Sequence, residues 1–304
     1  MTRLVAAALA LGLAAAAHAQ TSALGNLDIA SDTDGFHATR VRAGALQPDR
    51  SDLDYVGVAA QTTHYSQGGF ARDAPGVVAL FRRQERATQA GVNGEAGIVD
   101  VGGHVRAVAD VTWSSRPAKD TGVELIAAGD LVATQKAIER GIAYGFFAAS
   151  VEQTFVERLT AVALAGYQPF TDGNDRLHFR ARMIWSALPE QGINLQLRWR
   201  QYRSGKDDVD GAYFNPDRYE QWQAAVGVRR RFGGFVVSGS FGAGRERIDG
   251  TDTHPVRVAE VRAEGAITEH TRLAFYALYS RTTAYVDAPD YSYRQAGITL
   301  IHRF

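Results

Sequence analysis

The sequence contains no cysteine, few prolines and no long apolar run beyond its first residues. Without cysteine, neither a disulfide framework nor a thiolate metal site can form. Lys plus Arg and Asp plus Glu both number 33, so no global charge favours nucleic acid as a partner. After the N-terminal segment, no apolar stretch approaches the roughly 20 residues of a transmembrane helix. If the chain enters a membrane, it must therefore do so as strands.

The N-terminal segment has the pattern of an export signal. Arg3 precedes an apolar stretch over residues 4–17, and Ala17-His18-Ala19 gives the small-x-small pattern of a cleavage site. A transmembrane anchor is the weaker interpretation, because the run is short and rich in Ala. The sequence predicts a signal peptide at 1–19, followed by a single mature domain at 20–304.

The rest of the chain alternates between apolar and polar residues with a period of two. Residues 192–203 give the clearest example, with Ile193, Leu195, Leu197 and Trp199 on one side and Asn194, Gln196, Arg198, Arg200 and Tyr202 on the other. Such segments are about 9–13 residues long, the length of a tilted membrane-crossing strand, whereas strands of a soluble sandwich are typically about 5–6 residues. The pattern favours a transmembrane antiparallel up-and-down β-barrel, an all-β fold.

The number of segments agrees with this fold. The predicted strands are 27–33, 36–46, 55–66, 75–88, 92–101, 104–116, 122–129, 142–154, 159–171, 175–187, 192–203, 220–232, 235–248, 256–269, 272–285 and 291–304. About sixteen strands is an even number, as expected for a single-chain bacterial barrel. In the second half, short connections alternate with long ones, which predicts that both termini are periplasmic in the outer membrane of a Gram-negative bacterium.

The last segment ends on an aromatic residue. In a closed barrel the final strand pairs with the first, so Ile298, Leu300, His302 and Phe304 are expected to face lipid. A terminal Phe on such a strand resembles the signal by which the barrel assembly machinery recognises its substrates. Outer-membrane lipid and this machinery are therefore the expected partners, and Phe304 is the predicted assembly signal.

The opposite face of the strands predicts a polar lumen rich in arginine. The candidate residues of the solute path are Arg176, His178, Arg180, Arg182, Asn194, Gln196, Arg198, Arg200, Tyr202, Arg229 and Arg231, with Arg262 nearby. Glu152, Glu246, Glu260 and Glu264 are also expected to face inward. These charges either brace the wall as ion pairs or form a conduit in which guanidinium groups and aromatic rings contact passing sugars. The two interpretations are compatible.

Two connections stand out. The segment DLVATQKAIERGI departs from period two and predicts a short helix that ends at Gly141. The segment at 207–219 contains Tyr213, Phe214, Asn215 and Pro216, a predicted external loop with a turn at Asn215-Pro216. Its aspartates lack the Gly and Glu positions of a calcium loop, so neither a metal nor any other cofactor is predicted.

Three stretches in the second half of the chain resemble a known family. AGYQPFTDGNDRLHFRARM, LQLRWRQYRS and AYFNPDRYEQ resemble the C-terminal barrel of bacterial exopolysaccharide exporters, namely the poly-N-acetylglucosamine porin and the outer-membrane subunit of cellulose synthase. These proteins carry a similar aromatic-Asn/Ser-Pro stretch in a late external loop. The resemblance implies polysaccharide export. The family's barrel follows a periplasmic helical-repeat domain, but no 34-residue helical repeat fits before the first strand here. Export would then require a separate repeat-containing partner that brings the polysaccharide.

Other classes remain open. A general or small-solute porin needs an inward-folded loop, for which residues 204–219 are the candidate, and a structural barrel could be plugged by arginine side chains. An outer-membrane hydrolase would need a nucleophile and a base near the rim, but His104, His178 and His270 have no Ser nearby in a diagnostic context. The sequence therefore predicts a channel that is not an enzyme, with no catalytic residues.

Overall fold

The computed structural model describes residues 21–51, 54–251, 253–282 and 291–304, with only the backbone described at 49–51. The predicted signal peptide at 1–19 lies outside the described residues. The structure consists of sixteen antiparallel strands in a closed barrel, which confirms the predicted fold. No helix among the described residues is long and apolar enough to cross a membrane.

Strands follow one another around the barrel in chain order. The first half comprises β1 (Ser22–Asp32), β2 (His37–Ser51), β3 (Asp54–Gln67), β4 (Phe70–Gln84), β5 (Gly91–Val101), β6 (His104–Ala118), β7 (Thr121–Leu131) and, after the short helix α1 (Gln135–Glu139), β8 (Ala143–Val156). The second half comprises β9 (Leu159–Pro169), β10 (Asp175–Leu188), a 3-10 turn (Pro189–Gln191), β11 (Ile193–Ser204), β12 (Arg218–Phe232), β13 (Phe235–Ile248), β14 (His254–Ala266), β15 (Thr271–Thr282) and β16 (Tyr291–Arg303).

The barrel closes by pairing of the first and last strands. Leu27 lies opposite Ile298 in an antiparallel register that extends from Ser22 to Asp32. The backbone N–H of Phe304 donates to the carbonyl of Thr21 at 3.3 Å. The expected pairing of the chain ends is confirmed, and it leaves no open sheet edge.

Three of the expected strands have a boundary that is wrong by five residues. β2 continues to Ser51 rather than ending at 46. β1 begins at Ser22 rather than 27, because its outward Ala23 and Gly25 are too small to contrast with the inward positions. β4 runs over Phe70–Gln84 rather than 75–88, and Pro75 lies within it, opposite Thr62. On β4, too, outward and inward residues differ little in polarity. The period of two therefore located β1 and β4 but not their ends.

The outward face of the barrel is apolar along the middle of the strands. On β10, for example, the alternate residues Leu177, Phe179, Met183 and Trp185 are each about half exposed, at 52, 47, 49 and 51%. The aromatic residues near strand ends, including Trp113 and Phe232, also point outward. This band matches the lipid-facing surface of a membrane barrel with aromatic girdles.

The inward face differs between the two halves. On β1 to β6 it includes a buried apolar cluster beside polar residues such as Gln61 and Thr63. The members of the cluster on these strands include Leu24, Leu46, Ala59, Val78, Leu80, Val99, Val101 and Val108. The wall is crowded there, since a Cβ built on Gly44 would lie 2.6 Å from the Cβ of Ala59. Part of the inward face is therefore apolar like the outward face, which is why the alternation of these strands is weak in the sequence.

Ion pairs also connect non-adjacent strands of the first half. Arg40 on β2 bonds to Asp130 on β7 at 2.6 Å, and Arg42 on β2 bonds to Glu95 on β5 at 2.5 Å. These bonds cross the inside of the barrel, so side chains of β2 to β7 fill part of the interior. The more polar interior face lies along β8 to β15.

The connections differ between the two ends of the barrel. The end opposite the termini, here called the loop end, carries the long connections 132–142 and 205–217. The end that carries the termini has tight connections at 157–158, 189–192, 233–234 and 267–270 in the second half. In the first half the asymmetry disappears, because 68–69 and 102–103 at the loop end are equally tight.

Candidate solute path through the barrel

Four inward-facing arginines on β10 and β11 form a compact cluster, here called the arginine patch. Arg180 lies opposite Arg200, and Arg182 lies opposite Arg198. The connecting turn ends at Gly192, whose φ of 69° suits glycine. The predicted adjacency of these arginines is therefore confirmed, because the tight turn fixes the register of the two strands.

Arg198 is the braced member of the patch. Its Nε donates to Gln196 Oε1 at 2.8 Å, and one terminal nitrogen donates to Ser240 Oγ at 2.9 Å. The same nitrogen lies 3.4 Å from Glu260 Oε1, and Ser240 in turn donates to that carboxylate at 2.7 Å. This arginine therefore joins β11 to β13 and β14 through one shared acid.

The other three arginines carry positive charge without such neutralisation. No carboxylate of the described residues forms an ion pair with Arg180, Arg182 or Arg200. Arg180 lies over the Phe146 ring at 5.7 Å, and Arg200 lies over the Tyr219 ring at 5.0 Å. Arg180 and Arg182 are exposed although they point inward, so solvent reaches the lumen beside them. The patch is a positively charged, solvent-accessible section of the wall.

A continuous row of rings, here called the aromatic belt, lies on the loop-end side of the patch and comprises Phe146, His178, Tyr202 and Tyr219. Tyr202 and Tyr219 stack at 4.8 Å between centroids with planes 13° apart. His178 lies 5.2 Å from Tyr202 and meets Phe146 edge-on at 5.4 Å. The belt spans β8 to β12 and lies beside guanidinium groups. Phe146 and Tyr202 are partly exposed, whereas His178 and Tyr219 are buried.

A glycine makes the belt continuous across β9. Gly166 lies opposite both Ala148 and His178 in the register. A Cβ at this position would lie 2.8 Å from the ring carbon Cε2 of Phe146. A larger residue would push Phe146 away from His178, so glycine is required here for close approach rather than for backbone freedom.

Three connections at the loop end, 132–142, 170–174 and 205–217, pack together and are here called the loop cap. In the first, Thr134 caps the short helix α1, and Gly141 follows it with a φ of 61°. The predicted helix and its glycine end are confirmed. Ile138 is 1% exposed and packs into the apolar wall of the first half, beside Leu131 and Ala143. This contact draws the connection inward onto the barrel wall.

Polar contacts join the first connection to the third. Arg140 forms an ion pair with Asp210, and Lys136 Nζ donates to the carbonyl of Asp210 at 3.2 Å. The Thr134 hydroxyl donates to the carbonyl of Ala212 at 2.5 Å. The Arg140 guanidinium holds the pKa of the Asp210 carboxyl below its usual range. The loop predicted to fold inward is therefore held against the neighbouring connection.

The predicted loop residues 213–216 anchor the cap to the barrel wall. Tyr213 stacks on Phe170 at 4.8 Å and donates to Asp172 Oδ2 at 2.9 Å. Burial raises the pKa of the Tyr213 hydroxyl to about 12, so it remains protonated. Asn174 Nδ2 donates to Asn215 Oδ1 at 2.8 Å, and Pro216 is buried. These residues pack together at the mouth of the barrel.

Arg176 connects the cap to the belt. Its guanidinium carbon lies 4.9, 5.2 and 5.4 Å from the ring centroids of Phe170, Tyr202 and Tyr213. It also donates to the carbonyl of Phe214. A cation among three rings stabilises both elements at once. Arg176 thus belongs to the architecture of the mouth, whereas the arginine patch lies further inside.

The remaining predicted path residues lie nearer the end that carries the termini. Gln196 Nε2 donates to Asn194 Oδ1 at 2.6 Å. Arg229 lies opposite Ser238 and Arg231 opposite Val236, and both are exposed. They are separate from the arginine patch. Together with the patch they make one side of the interior positively charged along its length.

Two inward acids other than Glu260 have partners outside the arginine patch. Glu246 is 1% exposed and accepts from the Tyr219 and Thr282 hydroxyls. Glu152 pairs with Arg116 at 3.3 Å. The described residues contain no group of three or more His, Cys, Asp or Glu side chains that could hold a metal ion.

Sequence reasoning missed several residues of the site, namely Phe146, Gly166, Phe170, Asn174 and Tyr219. Tyr219 precedes Gln221 and Gln223 on the inward face of β12, a pattern that could have revealed it. Phe146 is followed by Phe147, so the two rings give no contrast between faces. Asn174 could not be recognised, because its partners come from connections distant in sequence.

No family model and no curated protein sequence matches the chain. Among solved structures, a bacterial polysaccharide outer membrane secretin is similar with a TM-score of 0.64 and 13% identity, covering 94% of this chain and 99% of that one. The outer membrane protein OprD from Pseudomonas aeruginosa has a TM-score of 0.43 and 10% identity, covering 93% of each chain. The anion-selective porin from Comamonas acidovorans has a TM-score of 0.39 and 10% identity, covering 93% and 98%. The chain has the fold of an outer-membrane β-barrel.

Proposed function

We propose that the protein is an outer-membrane channel through which a bacterial exopolysaccharide is exported, with sugars that carry acidic groups preferred. The observation that carries this proposal is the aromatic belt beside the arginine patch. Rings stack on the apolar faces of sugar units, while guanidinium groups hydrogen-bond hydroxyls and carboxylates. The structural neighbour with a TM-score of 0.64 is named as a polysaccharide secretin, which is consistent with the proposal.

The surplus of positive charge favours an acidic polymer over a neutral one. Arg180, Arg182 and Arg200 have no ion-pair partner among the described carboxylates. In an interior of reduced dielectric constant, a uronate group would replace the missing acid. A neutral polysaccharide would use the rings but would leave these charges unpaired.

The resemblance to exopolysaccharide exporters supports the same proposal. Tyr213, Phe214, Asn215 and Pro216 belong to the loop cap at the mouth, where an emerging polymer would pass. We further propose that a separate periplasmic helical-repeat partner brings the polymer to the end that carries the termini. Co-purification with such a protein from the native membrane would test this part.

A small-solute porin is the second candidate, and the loop cap favours it. The cap lies against the inner wall, as a constriction loop does, and the arginine patch would select anions. The two candidates differ in the solute that occupies the belt. A porin passes ions and small molecules, whereas an exporter retains polymer long enough to interrupt the current.

Planar-bilayer conductance of the refolded mature protein tests the proposal. The probes are uronate oligosaccharides and neutral oligosaccharides of equal length, added to either side. We expect brief blocks of the open-channel current, longer with the uronate oligomers. An open current that neither oligomer blocks would establish the porin, and a silent barrel would establish a plugged structural role.

Two variants test whether the oligosaccharide interrupts the current by binding at the aromatic belt. Tyr202→Leu removes a ring of the belt, and Tyr167→Leu removes a ring that points outward from β9, where it is 42% exposed. The first should shorten the blocks and the second should leave them unchanged. Equal effects would mean that the belt is not the binding surface.

A further inference from the structure

The outward face of the barrel carries arginines at the loop end of β13 to β16. Arg257 on β14 lies opposite Arg281 on β15, and Arg294 on β16 lies opposite Tyr279, two residues from Arg281. Arg245 on β13 lies opposite Pro255, two residues from Arg257. The diagonal pairs here are Arg245 with Arg257 and Arg281 with Arg294, which lie about 7–8 Å apart. Arg257 and Arg294 are separated by β15 and lie at least about 10 Å apart along the sheet, a distance that two long side chains can bridge around one group. Arg245, Arg257 and Arg294 are here called the outer arginines.

The outer arginines lack an acidic counterpart on their own strands. Every outward position of β13 to β16 is apolar, small, hydroxyl-bearing or basic, and no described carboxylate forms an ion pair with any of the three. All three are exposed, and Arg294 lies over the Tyr279 ring at 6.0 Å. The outward acid on the adjoining β12 is Glu220, which accepts from Trp199 Nε1 at 3.1 Å. The cluster therefore presents positive charge outward.

An apolar groove of about 600 Å³ adjoins the arginines on the same outward face. Its lining includes Ile29, Ala259, Val261, Ala277, Ala296 and, at its rim, Arg294. The groove exists because small alanines stand in register: Ala277 lies opposite both Val261 and Ala296. Larger side chains border it on the side away from the arginines, where Phe275 lies opposite Ile298.

The charge of the outer arginines and the shape of the groove together indicate which molecule binds there. In a membrane the apolar band of a barrel is about 25 Å tall, so arginines at the loop end of the strands stand at the level of the lipid headgroups. A guanidinium at that level binds phosphate oxygens in a bidentate manner, and a groove beside it in the apolar band accepts an alkyl chain. A second copy of the chain would bring the same positive charges together and would be repelled.

We propose that the outer arginines and the groove form a binding site for a phosphorylated lipid of the outer leaflet, with the phosphate on Arg257 and Arg294 and one acyl chain in the groove. The proposal rests on the proposed membrane location but not on the identity of the transported solute. It concerns the outward surface, which the solute path does not use. Failure of channel conductance would therefore leave it intact.

Native mass spectrometry of the detergent-solubilised barrel tests the site, with bisphosphorylated lipid A as the probe. We expect one tightly bound lipid, and about fivefold weaker binding for each arginine removed in Arg257→Ala and Arg294→Ala. Arg230→Ala is the matched control, because Arg230 also points outward and is exposed but lies near the opposite end of β12. Unchanged binding in the double variant would overturn the proposal.

Further measurements separate the contribution of the headgroup phosphates from that of the acyl chain. Dephosphorylated lipid A should bind at least about tenfold more weakly, and equal binding would overturn the role of the arginines. Ala277→Phe fills the groove without changing charge and should also weaken binding, whereas inorganic phosphate should not compete at equal concentration. Effective competition by phosphate would indicate a free-anion site instead. A dimer that disappears in Ala277→Phe would indicate that a second copy occupies the groove.

Discussion

Arg182 on β10 lies directly opposite Arg198 on β11, and both side chains point into the barrel. The two residues differ in their partners, because Arg198 bonds to Ser240 and lies near Glu260, whereas Arg182 has no ion-pair partner among the described residues. Like charges on directly opposite positions are unfavourable unless an anion or water separates them. Replacing each arginine separately therefore distinguishes the two possible roles of the patch, selection of charged solutes and bracing of the wall.

Replacing Arg182 with Ala should change ion selectivity and leave the fold intact. One unit charge at 4 Å in water contributes about 1 kcal/mol, so the anion-to-cation permeability ratio should fall by up to about fivefold. Reversal potentials in a salt gradient measure this ratio. Arg198→Ala should instead lower the thermal midpoint, because it breaks a link among three strands. If Arg182→Ala lowers the midpoint and spares selectivity, the patch only braces the wall.

Replacing Tyr202 with Leu should weaken binding of oligosaccharides in the barrel. The ring stacks on Tyr219 at 4.8 Å and lies 5.2 Å from His178, so its loss interrupts the aromatic belt. An aromatic contact contributes about 1 kcal/mol beyond area burial, which corresponds to about fivefold in affinity. Concentration-dependent current block gives the affinity. Full block by the Tyr202→Leu channel at the concentration that blocks the unmodified one would contradict the prediction.

The ion pair of Arg140 and Asp210 should make the loop cap sensitive to acid. Because the pKa of Asp210 is lowered from its ordinary value of 3.8, the carboxylate stabilises the cap above that pH. This contribution is lost as pH falls through the lowered value. We expect larger current fluctuations at such low pH, and the same fluctuations at neutral pH in Arg140→Ala. The exchanged pair Arg140→Asp with Asp210→Arg should restore a quiet current, and noise unaffected by any of these changes would contradict the assignment.

Replacing Ile138 with Ala should loosen the first connection of the cap. Ile138 is 1% exposed, and truncating a buried Ile to Ala costs about 2–5 kcal/mol. Since the contact is confined to the connection and the nearby wall, the loss should appear as faster proteolysis of 132–142 and a higher mean conductance. Ile267→Ala is a suitable control, because Ile267 is 52% exposed in a connection at the other end. Identical proteolysis of both variants would argue against packing of the 132–142 connection on the barrel wall through Ile138.

Replacing Phe304 with Asp should reduce assembly more than stability. Its ring is 54% exposed and meets His302 edge-on at 5.2 Å, so few contacts of the folded barrel depend on it. We expect lower levels in the outer membrane together with a thermal midpoint close to that of the unmodified protein. Normal membrane levels of the variant would refute the assembly role.

Much of the architecture follows from sequence periodicity. The strands at 175–188 and 193–204 were predicted almost to their ends, because apolar outward residues alternate there with arginines. The tight connection between them was enough to predict that Arg182 and Arg198 are neighbours. β1 and β4 were placed less well, because small or similar residues occupy both of their faces.

Local sequence alone therefore determined the barrel, its strand number, the pairing of its ends and the arginines of the inner wall, because a period of two depends only on neighbouring residues. Tertiary structure decided which charges remain unpaired, since Arg198 reaches Glu260 from a strand three positions away. It also decided that three distant connections meet in the loop cap and that Gly166 lets Phe146 reach His178. Contacts of this kind depend on the curvature of the whole wall, which no single segment encodes.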